Sequence, residues 1–501
     1  MTEPIDAAPS PWDPGHAAIE RLEIDGVAVF HLPDARRPTV ALQFRVGRSD
    51  EPFPRMGITH VVEHLAFFKL GPRNHPTNGF VDNIRTVFHA TGTEDELVSF
   101  LHGIIAALAD LPLDRLTDES RILRTEALRR SPSLWEQLAW YRYGSLGPGT
   151  LGMEEYGLNG LPSAAVAGWS RDWFNRGNAA LWIAGPVPAG LRLELPDGPR
   201  RPIPPAVPIA DLPLPAWTTN RLPGIALGLL TQRSFDATIA GRILTKRLET
   251  HLRYELGRSY EVSIAYQPLD ANEALSSIFA SCLEEDAEKV RAAFLATVDQ
   301  FASSGPTEQE LADDRTAYDR AMTDPDAGYG ELDRAAHSEL TGHPYSTTAE
   351  LRAEMRSATP ASVRDAIARA LDGAILMGPL GGAPVGQSAR QWRDYPVWST
   401  SWVQGERLDR SNRKFPWSKR TEELIIGRDG VSWIDQGQRA VTVRYAELVG
   451  MVIDADGARI LHGRDGFRVR VHAADWDHGT QAVAAIDSAV PADLVVRIAA
   501  T

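Results

Sequence analysis

Residues 60–64 read His-Val-Val-Glu-His, and no other short stretch constrains the chain so tightly. The spacing predicts a helix, because on a helix His60 and His64 leave one face a single turn apart. Glu63 falls on that same face, three residues after His60, where it can take a proton from a metal-bound water without binding the metal. Two neutral nitrogen donors and a nearby base make half of a hydrolytic zinc site. The bland reading is a helix that carries two surface histidines by chance, and the rest of the sequence must decide between the two.

Catalytic zinc takes three protein ligands and keeps one position open, so one ligand is still to be found. The candidates are Glu119 and Glu126, seven residues apart and therefore on one stripe of a helix. One of them can bind the ion while the other orients a histidine from behind. Without the histidines, this spacing would be ordinary for an exposed helix.

His-x-x-Glu-His followed by a distant glutamate resembles the pitrilysin/insulinase (M16) family of zinc peptidases, the inverzincins. The resemblance implies zinc as cofactor, His60, His64 and Glu126 as ligands, Glu63 as catalytic base and Glu119 as the carboxylate that supports a ligand. Glu126 follows His64 by 62 positions, fewer than the family usually has. The shortfall lies before Asn78-Gly79-Phe80, which matches the start of the family's edge strand, so a trimmed loop after the helix accounts for it. By the same resemblance Asn78 and Gly79 belong to a substrate-binding edge.

A second element lies far downstream. Arg253 and Tyr260 follow a helix rich in Ile243, Leu244, Leu248 and Leu252, and are similar to the family's Arg-(six residues)-Tyr element, which faces the zinc across a chamber. Arginine can hold a substrate carbonyl or carboxyl group, and a tyrosine hydroxyl can donate to an oxyanion. Alone, such a pair would read as a helix-end salt bridge and a packed ring.

The pattern around these motifs is mixed. Leu22–Val29 reads as two short strands around Asp25-Gly26, and Val40, Leu42, Phe44 and Val46 alternate as in a half-buried strand. An edge-strand segment (78–91) and a helix (94–110) with Leu97, Phe100, Leu101, Ile104, Ile105 and Leu108 on one stripe follow. Residues 216–380 repeat the plan without the zinc ligands, and Leu-Trp-Ile-Ala-Gly-Pro near 182 is echoed by Ile-Leu-Met-Gly-Pro near 377. The expected fold class is α+β: two tandem α/β-sandwich metallopeptidase domains, 1–195 active and 216–380 degenerate, joined by a Pro-rich linker at 196–215. The resemblance covers residues 16–380.

Beyond a second linker, 381–419, residues 420–501 carry short strands separated by Asp429-Gly430, Asp456-Gly457 and Asp465-Gly466, then a helix over 480–489. This module looks like a small pleckstrin-homology or GRAM-type β-barrel. With no Lys/Arg cluster among its turns, it reads as a protein-contact or stabilising appendage rather than a lipid binder.

At 501 residues the chain is long enough for several cores. A net charge of −14 argues against nucleic acid as partner. No apolar run approaches the ~20 residues of a membrane span. The segment 1–10 lacks a basic head and an apolar stretch, and Cys282 is the single cysteine, so a cytoplasmic location is expected. Two function classes stand: a zinc endopeptidase of short or unfolded peptides, one use being maturation of a small peptide precursor, or a catalytically silent scaffold or partner subunit. The resemblance implies that two such domains form half of a closed chamber. Both motifs occur in one chain, so a homodimer is expected, with a heterodimer as the alternative.

Overall fold

The strands of the first half pair around a turn that the sequence dictates. In this computed structural model, which describes residues 19–322, 324, 326–411 and 422–499, β1 (Glu20–Ile24) and β2 (Val27–Leu32) form a hairpin. Asp25 and Gly26 both take positive φ, 49° and 80°, as a two-residue hairpin turn requires. Then follow β3 (Thr39–Phe44), α1 (Ile58–Leu70), β4 (Thr77–Val81), β5 (Thr86–Thr91), α2 (Glu94–Ala109), α3 (Leu116–Ala127), α4 (Leu134–Tyr143), α5 (Ser163–Trp173) and β6 (Ala179–Ala184). The sheet order is β1-β2-β6-β3-β5-β4, which leaves β4 at an edge. One face carries α1, α2 and α5, whose apolar stripes share a core with Val40, Leu42 and Phe44.

The second half repeats this. It contains β7 (Ala216–Thr219), β8 (Gly224–Gln232), α6 (Phe235–Glu249), β9 (Val262–Pro268), β10 (Glu273–Ser281), α7 (Ala287–Ser304), α8 (Glu308–Ala321), α9 (Ala327–Thr341), α10 (Thr348–Ser357), α11 (Pro360–Leu371), β11 (Ile375–Gly378) and β12 (Arg393–Asp394). Its order, β12-β7-β11-β8-β10-β9, matches the first sheet from β2 onward. The sense of each pairing matches as well: β2/β6 and β7/β11 are parallel, and the three pairs beyond them are antiparallel. The echo near residues 182 and 377 marks the two equivalent strands, β6 and β11.

The halves exchange helices. From the second half, α9 covers the outer face of the first sheet, with Leu332, Ala335, Ala336 and Leu340 against Phe30, Ala41 and Trp182. In return α4 lays Leu138, Ala139 and Tyr143 on Ala226, Leu275, Ile375 and Met377 of the second sheet. This corrects the reading of residues 40–46 as half-buried: β3 is buried on both faces because α9 closes the outer one. Gln43, on that outer face, is satisfied by donating to Asp333 of α9 at 2.7 Å.

Nor is the stretch 196–215 a free tether. Pro196 O accepts from the Arg176 amide at 2.9 Å, and the buried Arg45 guanidinium donates to the carbonyls of Arg201 and Pro202 at 3.2 and 3.1 Å. Within 381–419, β12 joins the second sheet and β13 (Gly405–Asp409) opens the third unit. Residues 412–419 of that stretch lie outside the described residues, as does the segment 1–10.

The third unit continues with β14 (Glu423–Gly427), β15 (Gly430–Ile434), β16 (Ala440–Arg444), β17 (Leu448–Ile453), β18 (Arg459–Gly463), β19 (Arg468–Val471), α12 (Gly479–Ala489) and β20 (Val495–Arg497). Its strands form two four-stranded sheets, β13-β14-β15-β16 and β19-β18-β17-β20, around one core with α12. No pairing among the described residues closes them into a barrel, which departs from the expected barrel. Among the described residues no single helix is long and apolar enough to cross a membrane.

Candidate metal centre

Helix α1 presents one apolar face and one chemical face. Ile58, Val61, Val62, Leu65 and Ala66 enter the core, while His60, Glu63 and His64 point away from it. The helix start is fixed from several sides. Gly57 caps it at φ 92°, and any side chain there would collide with Leu158 and Glu155. The buried carboxylate of Glu51 accepts the Gly57 and Thr59 amides at 2.7 and 2.9 Å, and the Trp169 indole donates to the Thr59 hydroxyl at 3.1 Å.

The His60 and His64 rings stand perpendicular, 5.1 Å between centroids. One ligand-capable atom from each of His60, Glu63 and His64 falls within 4.8 Å of the other two. Behind each histidine stands a carboxylate. Glu155 lies 3.2 Å from His60 Nδ1, and Glu119 Oε2 lies 3.4 Å from His64 Nδ1. With both Nδ1 atoms engaged, the Nε2 atoms are the ones left to meet an ion. Glu126 reaches the front of the site, with Oε2 3.8 Å from His64 Nε2 and a side chain 57 % exposed. Two ligands of a tetrahedral zinc ion sit a little over ~3 Å apart, so this carboxylate is close to a ligand's distance from His64. The donor chemistry, two imidazoles with carboxylates behind and Glu126 in front, suits zinc, although Glu126 stands outside the close trio of His60, Glu63 and His64.

The electrostatics follow from burial. Burial lifts the Glu63 carboxyl to about 7, against the charge of His60 and with help from Glu126. Burial and the charge of His60 lower His64, although Glu119 and Glu126 oppose this. Burial works against charge on His60 too, but the hydrogen bond and charge of Glu155 outweigh it and raise its pKa. Burial would raise Glu155 as well; the bond and charge of His60, with the charges of Arg48 and Arg130, hold it down at about 2.

Gly79, in β4, explains the Asn-Gly pair. A Cβ there would sit 2.5 Å from Glu63 Oε1, so any larger residue would displace that carboxylate. Asn78 pairs with His89 of β5, and β4 is the terminal strand of its sheet, with its other edge unpaired among the described residues.

Arg253 and Tyr260 lie together elsewhere, in the second half. Arg253 sits on a π-helical turn (Thr250–Glu255) that extends α6, where its guanidinium covers the rings of Tyr254 and Tyr260 at 5.4 and 5.5 Å. It also pairs with Glu249 at 3.2 Å. Tyr260 is 82 % exposed. The contacts of this pair are local to its own half.

Sequence reasoning missed Glu155 and Glu51. A signal for the first existed, because two histidine ligands call for two supporting carboxylates and only Glu119 had been assigned. Nothing in the spacing, however, singles out position 155.

No family model matches the sequence, and no curated protein matches it. Solved structures do. An M16 peptidase inactive domain from Pseudomonas fluorescens shares 15 % identity at a TM-score of 0.58, covering 72 % of this chain and 98 % of that one. The first half of the periplasmic protease PqqL from Escherichia coli shares 13 % at 0.59, covering 76 % and 99 %. Pitrilysin shares 14 % at 0.53, covering 74 % of this chain and 48 % of that one. The fold is that of M16 peptidase domains. At these identities the likeness carries the fold alone.

Proposed function

We propose that the chain is a zinc-dependent endopeptidase of short or unfolded peptides, with His60, His64 and Glu126 holding the ion. The observation that carries this reading is the paired support of both histidines, Glu155 behind one and Glu119 behind the other, around a buried Glu63. A silent scaffold has no need of two carboxylates spent on orienting imidazoles. Zinc bound there would supply a nucleophilic water at neutral pH and polarise the scissile carbonyl. Glu63 takes the proton of the attacking water and passes it to the leaving amine, a role suited to a carboxyl lifted to about 7. The free edge of β4, at Asn78 and Gly79, offers main-chain hydrogen bonds to an extended peptide.

Arg253 and Tyr260 fit a substrate-binding and oxyanion role supplied across a chamber by a second copy of the chain. That this chain spans 48 % of pitrilysin supports two copies making one enclosure. We assign a homodimer in the cytoplasm, with a small peptide precursor as one candidate substrate. The second reading, a silent relative, draws on the similarity to a domain described as inactive. The test mixes Glu63→Gln with Tyr260→Phe, each expected to be dead or severely impaired. In a dimer that shares its sites, the mixed species contains one intact site, and turnover of a quenched peptide library returns on mixing. Turnover by the wild type without recovery, despite proven subunit exchange, defeats the shared site. Zinc bound without any turnover by the wild type favours the scaffold.

A further inference from the structure

The third unit does not hang from the chain; it presses on the two segments that hold α1 and His60. The first is the turn Phe53–Arg55, just before Gly57. The second is the turn Tyr156–Asn159, whose first residue follows Glu155. Between them lies His462 of β18, 0 % exposed, with its ring 4.7 Å from that of Phe53 and 5.3 Å from that of Tyr156. Phe53 and Tyr156 also stack on each other at 5.3 Å, so the three rings form one closed cluster. Around it pack Met56 and Met153 from the first half and Val449, Val452 and Ile460 from the third unit. Gly450 of β17 lies so close that an added Cβ would be 2.1 Å from Phe53 Cδ1, and the charge of Arg468 of β19 acts on the Tyr156 hydroxyl.

Neither ring nitrogen of His462 has a hydrogen-bond partner among the described residues. Native cores pair nearly all buried polar groups, so an imidazole is an unusual choice for a position that only fills space. Burial, with the charge of Arg468, pushes its pKa down to about 3, so the ring is neutral and acts as an aromatic wedge.

We propose that the third unit positions the metal centre through this wedge: His462 locks Phe53 and Tyr156, and thereby the start of α1 and the Glu155 carboxylate that orients His60. The inference rests on the metal-site reading above. His462 touches neither substrate nor ion and is a positioning residue. The lever arms are short, since Tyr156 is one residue from Glu155 and Phe53 four from the Gly57 cap. Loss of a direct carboxylate partner of a ligand histidine costs about 10- to 100-fold in metal affinity. Loosening that partner from one residue away should cost about tenfold.

The experiment uses the full chain and three variants. His462→Ala removes the wedge, His462→Phe keeps a ring of similar shape without nitrogens, and Leu461→Ala cuts into the third unit's own core on the same strand. Zinc affinity is read by chelator competition, and ligand geometry by the absorption spectrum of the cobalt-substituted protein. Hydrogen exchange of amides 57–59 and 155–158 is followed in the metal-free protein. His462→Ala should weaken zinc about tenfold, alter the cobalt spectrum and speed exchange at both segments. His462→Phe should restore all three, and Leu461→Ala should lower the unfolding midpoint while leaving affinity and spectrum unchanged. Wild-type affinity and exchange in His462→Ala would overturn the proposal, as would an equal loss of affinity in Leu461→Ala. A wild type that holds no zinc would defeat the metal-site reading instead, and the metal-free exchange would still decide whether the wedge fixes these segments.

Discussion

The two halves place helices of equivalent position side by side and bridge them with different chemistry. In the first, α1 meets α3 through His64, with Glu119 behind it and Glu126 in front. In the second, α6 meets α8 through Arg242–Asp314 at 2.6 Å and Arg247–Glu310 at 2.5 Å. The carboxylate side of the bridge is present in both. What differs is the partner: a neutral imidazole keeps a lone pair for an ion, whereas a guanidinium is permanently charged, offers only donors and occupies the carboxylate itself. Thus one layout yields a metal-capable face in one half and a closed ion-pair lock in the other. The hydrogen bond from Arg247 is the main reason the Glu310 carboxyl is held at about 2.

The most severe way to break this contrast is to delete a donor from each half. His64→Ala should abolish both bound zinc and peptide turnover, whereas Arg242→Ala should leave one zinc per chain by elemental analysis. Zinc lost equally in both variants would erase the distinction between the halves. Next comes Glu63→Gln, expected to keep the metal while turnover falls about 10²–10⁴-fold, because a base and not a ligand is removed. If Glu63→Gln also lost its zinc, Glu63 would have to be counted as a ligand.

A smaller effect sharpens the other side. Arg247 spans Glu310, the Gly305 carbonyl at 2.9 Å and the Phe301 ring at 5.0 Å. Arg247→Ala should cost about 1–3 kcal/mol in denaturant unfolding, with zinc content unchanged. An unaltered midpoint would mean the lock contributes nothing.

An effect of similar size is a pH slope. Burial, with the charge of Glu155, raises the Glu51 carboxyl to about 7, although the Gly57 and Thr59 amides oppose the shift. A folded-state pKa above the unfolded value of 4.5 gives stability that is complete below that value and lost as pH rises through 7. Metal-free protein should therefore unfold more easily at pH 8 than at pH 5, on the order of 2–3 kcal/mol for this group. Glu51→Gln should flatten that part of the slope while lowering stability at pH 5, since an amide cannot accept both backbone donors. A slope unchanged in the variant would remove Glu51 from the account.

The helix period of α1, the seven-residue spacing of Glu119 and Glu126, the Asp25-Gly26 hairpin and the echo between β6 and β11 were legible in the sequence. Each depends on neighbours a few residues apart or on a repeated local pattern, and backbone geometry converts such spacing directly into a shared face. Outside the reach of the sequence lay Glu155 behind His60, 95 residues away, and the exchange of α4 and α9 that buries both faces of each sheet. The docking of the third unit on Phe53 and Tyr156 was equally hidden. These are contacts between surfaces that exist only once each half has folded. A carboxylate or an apolar face carries no mark of which distant partner will cover it; the burial that lifts Glu63 and Glu51, and the His60 contact that holds Glu155 down against burial, are properties of the assembled cores.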